Sequence, residues 1–534
     1  MVLIYNLLFI NVGLFIWSTA EANNDDDKPC AARPMEGQSV VCVCNSTYCD
    51  EITRRPPADG EYVAYTSSKA GSRFRKFSGR LQDFSKSWRN SSWTIELEPT
   101  VRYQKIQGFG SAISDAGAIN WKSLPEEAQK RFIDTFFSAK GNEYNMVRVP
   151  IGGSDFSTRA YAYNELPRND KHLTNYTLSV EDFEYKIPMI KAAMKVATSP
   201  IQIVATTWSP PTWMKSNNDW YGYSTLKPQY YQTYADYHLK FLERYAEQGL
   251  SVWAITTTNE PLNGIVTLVV YNSKLNCLGW LPDDMGRWVV NNLGPTIRNS
   301  SFAAVKILAI DDQRYAIPAW FDTMTRVHPN MVNIVDGLAI HYYGDGMTPV
   351  KILTEFHQKH SKLMILATEA CEGAPTSEKE KVLLGSWERA ENYVSNILTN
   401  LNYHVAGWID WNIALNLQGG PTYVGNYVDS IVIVDAEKGE FMKQPMFYAV
   451  GHFSKFVPRG SHRIQVLGKK PVSFTSISDA AFVTPRGTIA IVLHNNGAKR
   501  HIGIKLDDKE ALVELEALSI TTVEIPYKGP AQEH

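Results

Sequence analysis

At 534 residues the chain is too long for one compact core, and length alone points to roughly two to four domains. Hydrophobic residues at 44% and charged residues at 20% are ordinary globular proportions. A net charge of −2 excludes an electrostatic case for nucleic acid or any other polyanionic partner.

The N-terminus opens on an apolar run, Leu7–Trp17, with small residues behind it and an Ala20-Glu21-Ala22 pattern suited to cleavage. The run is too short to span a bilayer, and no later segment approaches the ~18 apolar residues that spanning requires. Residues 1–22 therefore read as a secretory signal, although no Lys or Arg precedes the run. Cys30, Cys42, Cys44 and Cys49 then crowd together, while Cys277 and Cys371 stand alone. In an exported chain the four read as two disulfides, and three pairings are open; zinc is the rival, without a second CxxC or a nearby His to support it. Sequons at Asn45, Asn90, Asn175 and Asn299 make an exported chain a candidate for glycosylation.

A Pro-rich linker, Arg54–Pro57, leads into half-buried antiparallel strands such as Ser92–Leu97. From Lys105 apolar strands alternate with helical stretches such as Pro125–Ser138 and Tyr231–Gln248. Eight strands are expected, near Ile106 and over Met146–Val149, Ile203–Ala205, Val252–Ile255, Val305–Ile310, Gly337–Ile340, Met364–Ala367 and Val405–Trp408. Eight β/α units of this length predict a single (β/α)₈ TIM barrel. Beyond Trp411 the chain turns Gly- and Asn-rich (Asn416–Asn426). Short strands parted by turn signals follow over Arg463–Ile525. They read as a β-sandwich that shares its domain with the strands before the barrel, the barrel being inserted between.

Two stretches carry the chemistry, Val252–Pro261 (VWAITTTNEP) and Met364–Gly373 (MILATEACEG). Each is a buried strand that breaks at its C-terminal tip into a carboxylate, Glu260 and then Glu369. A barrel places catalytic groups at such tips. Hydrolysis of a glycosidic bond takes one carboxyl as acid/base, here Glu260, and one as nucleophile, here Glu369. The other tips offer Asp115, Arg148 with Asp155, Trp208, Asn259, Asp312, His341 with Tyr343, and Trp411. Arg148 and Tyr343 are suited to keep the nucleophile ionised, and Asn259 to donate to the sugar 2-OH. Asp155 can grip sugar hydroxyls, Trp208 and Trp411 can stack on a sugar ring, and His341 can orient a carboxylate. Each also has a plain structural role open to it: a buried salt bridge for Arg148, a turn for Asp155, core packing for the tryptophans. Gly108-Phe109-Gly110 lacks the third glycine of a dinucleotide loop, His357 and His360 sit outside any HExxH, and no GxSxG occurs. No metal and no organic cofactor is implied.

Taken together, CVCNSTYCD, KIQGFGSAISDA, MVRVPIGGSDFS, TTWSPPTWMKS, TTTNEP, ATEACEG, GWIDWNIALN and KQPMFYAVGHFSKFVPRGS resemble the lipid-cleaving β-glucosidases of glycoside hydrolase family 30, in a non-human animal form. The resemblance covers essentially the whole chain after the leader. It implies a TIM barrel over 105–412 and 445–460, and an immunoglobulin-like β-sandwich from 54–104 and 461–534. A small antiparallel sheet with two disulfides would come from 23–53 and 413–444. It further implies pairing of Cys30 with Cys42 and Cys44 with Cys49, and glycosylation at the four sequons. Glu260 and Glu369 fall on the catalytic positions; Asp155, Trp208, Asn259 and Trp411 fall on glucose-binding positions, with His341 and Tyr343 beside them. The implied activity is retaining hydrolysis of glucosylceramide in the lysosome, aided by a saposin-type activator and an anionic lipid surface through peripheral membrane contact. The chain departs from the family at Tyr342, where Trp is usual, and at a longer loop, Ile265–Tyr271, that either meets lipid or packs on the barrel rim. A secreted glycosidase acting on another β-glycoside, or a non-catalytic glycan- or lipid-binding protein, are the alternative readings. The retaining reading expects the two carboxyl groups about 5–5.5 Å apart.

Overall fold

The computed structural model describes residues 20–21, 27–87, 93–266, 274–374, 379–468 and 475–529. The leader, apart from Ala20–Glu21, lies outside the described residues, as do Asn90 and most of the Ile265–Tyr271 loop.

Eight parallel strands close into a barrel. They are β1 (Gly108–Ala112), β2 (Met146–Pro150), β3 (Gln202–Thr206), β4 (Val252–Thr256), β5 (Lys306–Gln313), β6 (Gly337–His341), β7 (Met364–Glu369) and β8 (Val405–Asn412). Helices Glu126–Phe137 and Tyr231–Glu247 fall where the sequence places them. Inside the barrel Met146, Val204, Ala254, Leu308, Ala339, Leu366 and Ile409, from seven different strands, form one apolar layer. β1 contributes Gly110 there, because a Cβ would stand 1.7 Å from the Met146 carbonyl oxygen.

Strand side chains alternate, so the residue two positions on from each member of that layer also points inward, nearer the C-terminal mouth. Those residues are Arg148, Thr206, Thr256, His341, Thr368 and Trp411, all buried. β5 breaks the pattern. Its register shifts between Ile310 and Asp312, with Ile310 at φ 74° and Asp311 at φ 56°, and the bulge turns Asp311 inward.

Strands from both chain ends (Ala20–Glu21, Glu61–Ser68, Arg75–Arg80, Gln82–Asp83 and Thr94–Lys105 with six between His462 and Pro526) join in one eleven-stranded sheet. It encloses its own core, which includes Ile95, Leu97, Ile489, Ile502, Val513 and Val523. Thr94–Lys105 binds the two ends together, pairing antiparallel with His462–Leu467 and parallel with Arg500–Leu506. A third sheet of five strands unites Ala32–Pro34 and Val40–Cys44 with Leu415–Asn416, Val432–Asp435 and Glu440–Lys443. Its outer pair, Leu415–Asn416 with Ile433–Val434, runs parallel, so the sheet is mixed where an antiparallel one was expected. Disulfides join Cys30 to Cys42 and Cys44 to Cys49, while Cys277 and Cys371 are free and buried. Asn175 and Asn299 are exposed and Asn45 is partly exposed. No helix among the described residues is long and apolar enough to cross a membrane.

Candidate active site

Arg148 anchors the mouth of the barrel. Fully buried, it donates through Nη1 to Glu369 Oε2 and through Nη2 to Asn259 Oδ1 at 2.7 Å and Asp311 Oδ2 at 2.8 Å. Its guanidinium lies 4.9 Å from the Trp208 ring centroid and 5.5 Å from that of Trp411. Burial works against this cation, but Asp311 and Glu369 outweigh it and hold the pKa above its ordinary value.

Asp311 is the hub beneath. One oxygen accepts from Arg148, Thr206 and Thr256, each at 2.8 Å. The other accepts from Thr368 at 2.7 Å and His341 Nε2 at 3.0 Å. Burial alone would raise its pKa; Arg148 and His341 reverse that and hold Asp311 well below the usual carboxylate range. His341 turns its other nitrogen, Nδ1, to Glu260 Oε1 at 3.0 Å. Burial disfavours its charge, yet Glu369, Asp311 and Glu260 together push the pKa up to about 10, so the ring is an imidazolium donating through both nitrogens.

Glu260 follows β4 at φ 40°, a left-handed conformation unusual for Glu, held by its own N–H to the Asp311 carbonyl at 2.9 Å. Gln313 Nε2 donates to Glu260 Oε1 at 3.0 Å and Asn263 approaches Oε2 at 2.5 Å. Glu369 ends β7, and Tyr343 Oη donates to its Oε1 at 2.9 Å. Burial raises the Glu369 pKa, with His341 and Arg148 pulling against it. Carboxylate oxygens of Glu260 and Glu369 and a His341 nitrogen all lie within 4.8 Å of one another. His341 turns Nε2 to Asp311 and Nδ1 to Glu260, so a cation held by this triad would have to displace the proton between His341 Nδ1 and Glu260.

Above these groups a cavity of about 180 Å³ is lined by Asp155, Trp208, Asn259, Glu260, Tyr343 and Glu369, with Trp411 and Asn426 closing it. The Trp208 and Trp411 rings stack at 5.0 Å, and Phe156 meets Trp411 edge-on at 6.0 Å. Asp155 accepts from Asn426 at 3.0 Å, and burial together with the Glu369 charge pushes its pKa up to about 7.

The structure thus brings together Arg148, Asp155, Trp208, Asn259, Glu260, His341, Tyr343, Glu369 and Trp411. It does not bring Asp115, which bonds Ser157 at 2.6 Å and Tyr161 at 2.9 Å beside Lys186. Asp312 faces away from the cavity, accepts from the N–H groups of Leu262 and Gln313, and is raised to about 7 by burial and Glu260. Asp311, Gln313, Asn263 and Asn426 were missed. Asp311 adjoins Asp312, and two acids ending one strand were the available signal; the amides carried none. Tyr342, the departure from the family pattern, donates to Glu372 at 2.5 Å.

The sequence matches the glycosyl hydrolase family 30 TIM-barrel domain over residues 106–457 and the glycosyl hydrolase family 30 β-sandwich domain over residues 460–523. It is 40% identical over 478 residues to the lysosomal acid glucosylceramidase of Mus musculus, covering 88% of this chain and 90% of that protein. Among solved structures, SrfJ from Salmonella typhimurium superposes with a TM-score of 0.79 at 22% identity, over 88% of this chain and all of that one. An endo-β1,6-glucanase superposes at 0.75 and 24% identity, over 87% of this chain and 99% of that one, so both show the shared fold.

Proposed function

The chain belongs to glycoside hydrolase family 30, and from that membership we propose that it is a retaining β-glucosidase that hydrolyses glucosylceramide to glucose and ceramide. The observation that carries the retaining mechanism is the approach of Glu260 and Glu369 oxygens within 4.8 Å. Retaining enzymes hold the two groups ≈ 5–5.5 Å apart, whereas an inverting enzyme needs ≈ 6.5–9.5 Å for a water between them.

In the first step Glu369 attacks the anomeric carbon, and Glu260 gives its proton to the departing glycosidic oxygen. Gln313 and His341 both donate to Glu260 Oε1 and Asn263 Nδ2 donates to Oε2, which fixes the carboxyl where it meets the glycosidic oxygen. Arg148 and Tyr343 each hold one oxygen of Glu369, fixing the attacking carboxylate and favouring its ionised form. In the second step Glu260 takes a proton from water, which attacks the anomeric carbon and frees Glu369. Asn259, its side chain oriented by Arg148, is the donor for the sugar 2-OH. Asp155 grips the distal hydroxyls, and the Trp208–Trp411 pair packs against the ring face.

A cavity of about 180 Å³ suits one sugar ring and disfavours the β-glucan reading, which needs a cleft along a chain. The loops at this end of the barrel expose Tyr223, Val266, Leu281, Met347, Leu417 and Tyr427. An apolar rim around the mouth suits a lipid aglycone presented at a membrane surface, where anionic lipid and a saposin-type activator would act. A lysosomal site of action accords with the mouse relative's name and with buried carboxyls that favour acid pH.

Turnover of glucosylceramide in vesicles and of an aryl β-glucoside, each with wild type, Glu369→Gln and Glu260→Gln, tests the proposal. A 2-fluoro-glucoside should leave a glucosyl label on Glu369, seen by peptide mass spectrometry. Label on another residue sinks the double displacement; aryl-glucoside turnover without lipid turnover moves the substrate elsewhere.

A further inference from the structure

Where the sandwich meets the barrel there is a cleft of about 410 Å³ that shares no lining residue with the sugar pocket. Its walls are Tyr103 of Thr94–Lys105, Arg463–Val466 of His462–Leu467, Ser478 and Asp479 of Ile477–Thr484, and Asn402, which ends the barrel helix Trp387–Asn402. The ladder between the first two of these strands is interrupted here. Ile464 faces Arg102 but Gln465 faces Glu98, so Pro99–Val101 bulge out of the pairing.

Arg463 is the cation of this cleft, 8% exposed. Its guanidinium lies 3.7 Å from the Tyr103 ring centroid, and Nε donates to Gln104 Oε1 at 3.2 Å. Gln104 is fixed in turn, its amide donating to the carbonyls of Leu401 at 2.6 Å and Val405 at 3.0 Å. The guanidinium is thus clamped at one face and one corner. Its Nη1 and Nη2 groups meet no acceptor and no ion-pair partner among the described residues. Asp479 lines the same cleft without pairing with it, and residues 469–474 contain no Asp or Glu. Burial pushes the Arg463 pKa down to about 10, and no carboxylate opposes that shift. A buried cation ordinarily has a counter-charge; here a rigid, oriented fork of donors faces open space.

We propose that this cleft binds a carboxylate-bearing sugar, an acidic saccharide of the sialic or hexuronic acid kind, with its carboxylate on the Nη edge of Arg463. Two parallel N–H donors match the two oxygens of a carboxylate, as a lone ammonium does not. The rest of the lining suits hydroxyl groups better than further charge. Asn402, Gln465 and Ser478 offer amides and a hydroxyl, while Asp479 accepts from O–H groups and repels a second anionic group. The cleft has more than twice the volume of the sugar pocket, about 180 Å³, which leaves room for a whole acidic sugar residue. Because its walls come from sandwich and barrel, such a ligand ties the two together and stabilises the native state by mass action. The inference stands independently of the glucosylceramide reading.

The test uses the full chain with N-acetylneuraminate and glucuronate as probes, by isothermal titration and thermal melting at constant ionic strength. Saturable binding of at least one acid at one site per chain, with a raised melting midpoint, is expected. Its methyl ester, which keeps the sugar and loses the charge, should bind at least about tenfold more weakly, as loss of charge-assisted hydrogen bonds implies. Acetate, which keeps the charge and loses the sugar, should leave the midpoint unchanged. Ser478→Trp, at an exposed strand position, fills the cleft without touching Arg463 and should abolish binding while aryl β-glucoside turnover stays at the wild-type level. Arg463→Lys, which keeps the charge and loses the fork, should weaken the acid at least about tenfold. Should that variant fail to fold, Ser478→Trp carries the test. Lys509→Gln, which removes an exposed charge elsewhere in the same sheet, should bind as wild type does. Failure of both acids to bind, equal binding of the ester, an effect that acetate reproduces, or binding that survives Ser478→Trp overturns the proposal.

Discussion

Replacing Asp410 by Asn should make the barrel less sensitive to neutral pH. Asp410 sits on β8, 1% exposed, with the Tyr393 hydroxyl donating to Oδ1 at 2.6 Å and Ser111 3.5 Å from Oδ2. No cation pairs with it among the described residues, and burial pushes its pKa up to about 8. An acid whose folded pKa lies above its unfolded value binds more protons when folded, so its effect is a loss of stability as pH rises from about 4 towards 8. The slope is about 1.4 kcal/mol per pH unit. Between pH 5 and 7.5 this gives a ceiling of about 3 kcal/mol. With an unfolding entropy near 2 cal/mol/K per residue, a cooperative unit of this size shifts by roughly 1 °C per kcal/mol. Asn is isosteric and uncharged, and its amide can donate to Ser111 Oγ, which itself donates to the Trp411 carbonyl at 3.0 Å. Calorimetric scans at one heating rate should therefore show wild type losing up to about 3 °C more than Asp410→Asn between pH 5 and 7.5, with the two converging only as pH falls towards 4. Parallel melting curves across that window would refute the assignment of a buried, neutral Asp410.

The same exchange at Asp311 should act with the opposite sign. Asp311→Asn leaves Arg148 and His341 without their shared counter-ion and should cost about 3–5 kcal/mol, seen as a midpoint several degrees lower at pH 6. Since its folded pKa is depressed, the difference from wild type should persist at every pH above about 4 and shrink only as pH falls further. Tyr343→Phe removes the 2.9 Å donor to Glu369 and should lower kcat on an aryl β-glucoside by about 10- to 100-fold with little change in melting. Gly110→Ala drives a Cβ into the Met146 carbonyl and should abolish soluble expression, where Gly346→Ala, at a glycine with open space around it, should not.

The sequence made the barrel legible because its strands are apolar runs broken at their tips, a pattern that burial on both faces imposes. It made Glu260 and Glu369 legible for the same reason, since a carboxylate ending a buried run is conspicuous. The union of the two chain ends in one sheet was legible too, because both ends carry alternating strands of one kind. Other features depended on where the chain departs from regularity. The parallel pairing of Leu415–Asn416 rests on two residues in a Gly- and Asn-rich stretch, too few to show direction. The supporting amides Asn263, Gln313 and Asn426 come from loops or a strand end, with no spacing that marks them.

Asp311 shows most clearly why a strand pattern can mislead by one residue. Counting by twos from Leu308 puts Ile310 inward and Asp311 outward, so Asp312 becomes the acid expected near the site. The bulge reverses this by forcing both Ile310 and Asp311 to positive φ. For a β-branched residue that region is strongly disfavoured. The conformation is held because Asp311, once inside, accepts five hydrogen bonds and sits between two buried cations. Its own carbonyl then holds the N–H of Glu260, which is itself at positive φ. Ile310, Asp311 and Glu260 thus adopt conformations that local preference opposes, and together they set the Glu260 carboxyl at the mouth of the barrel. Such places are where reading from local propensity should fail, because the network that compensates is assembled from β2, β3, β4, β6 and β7 and exists only once the barrel has closed.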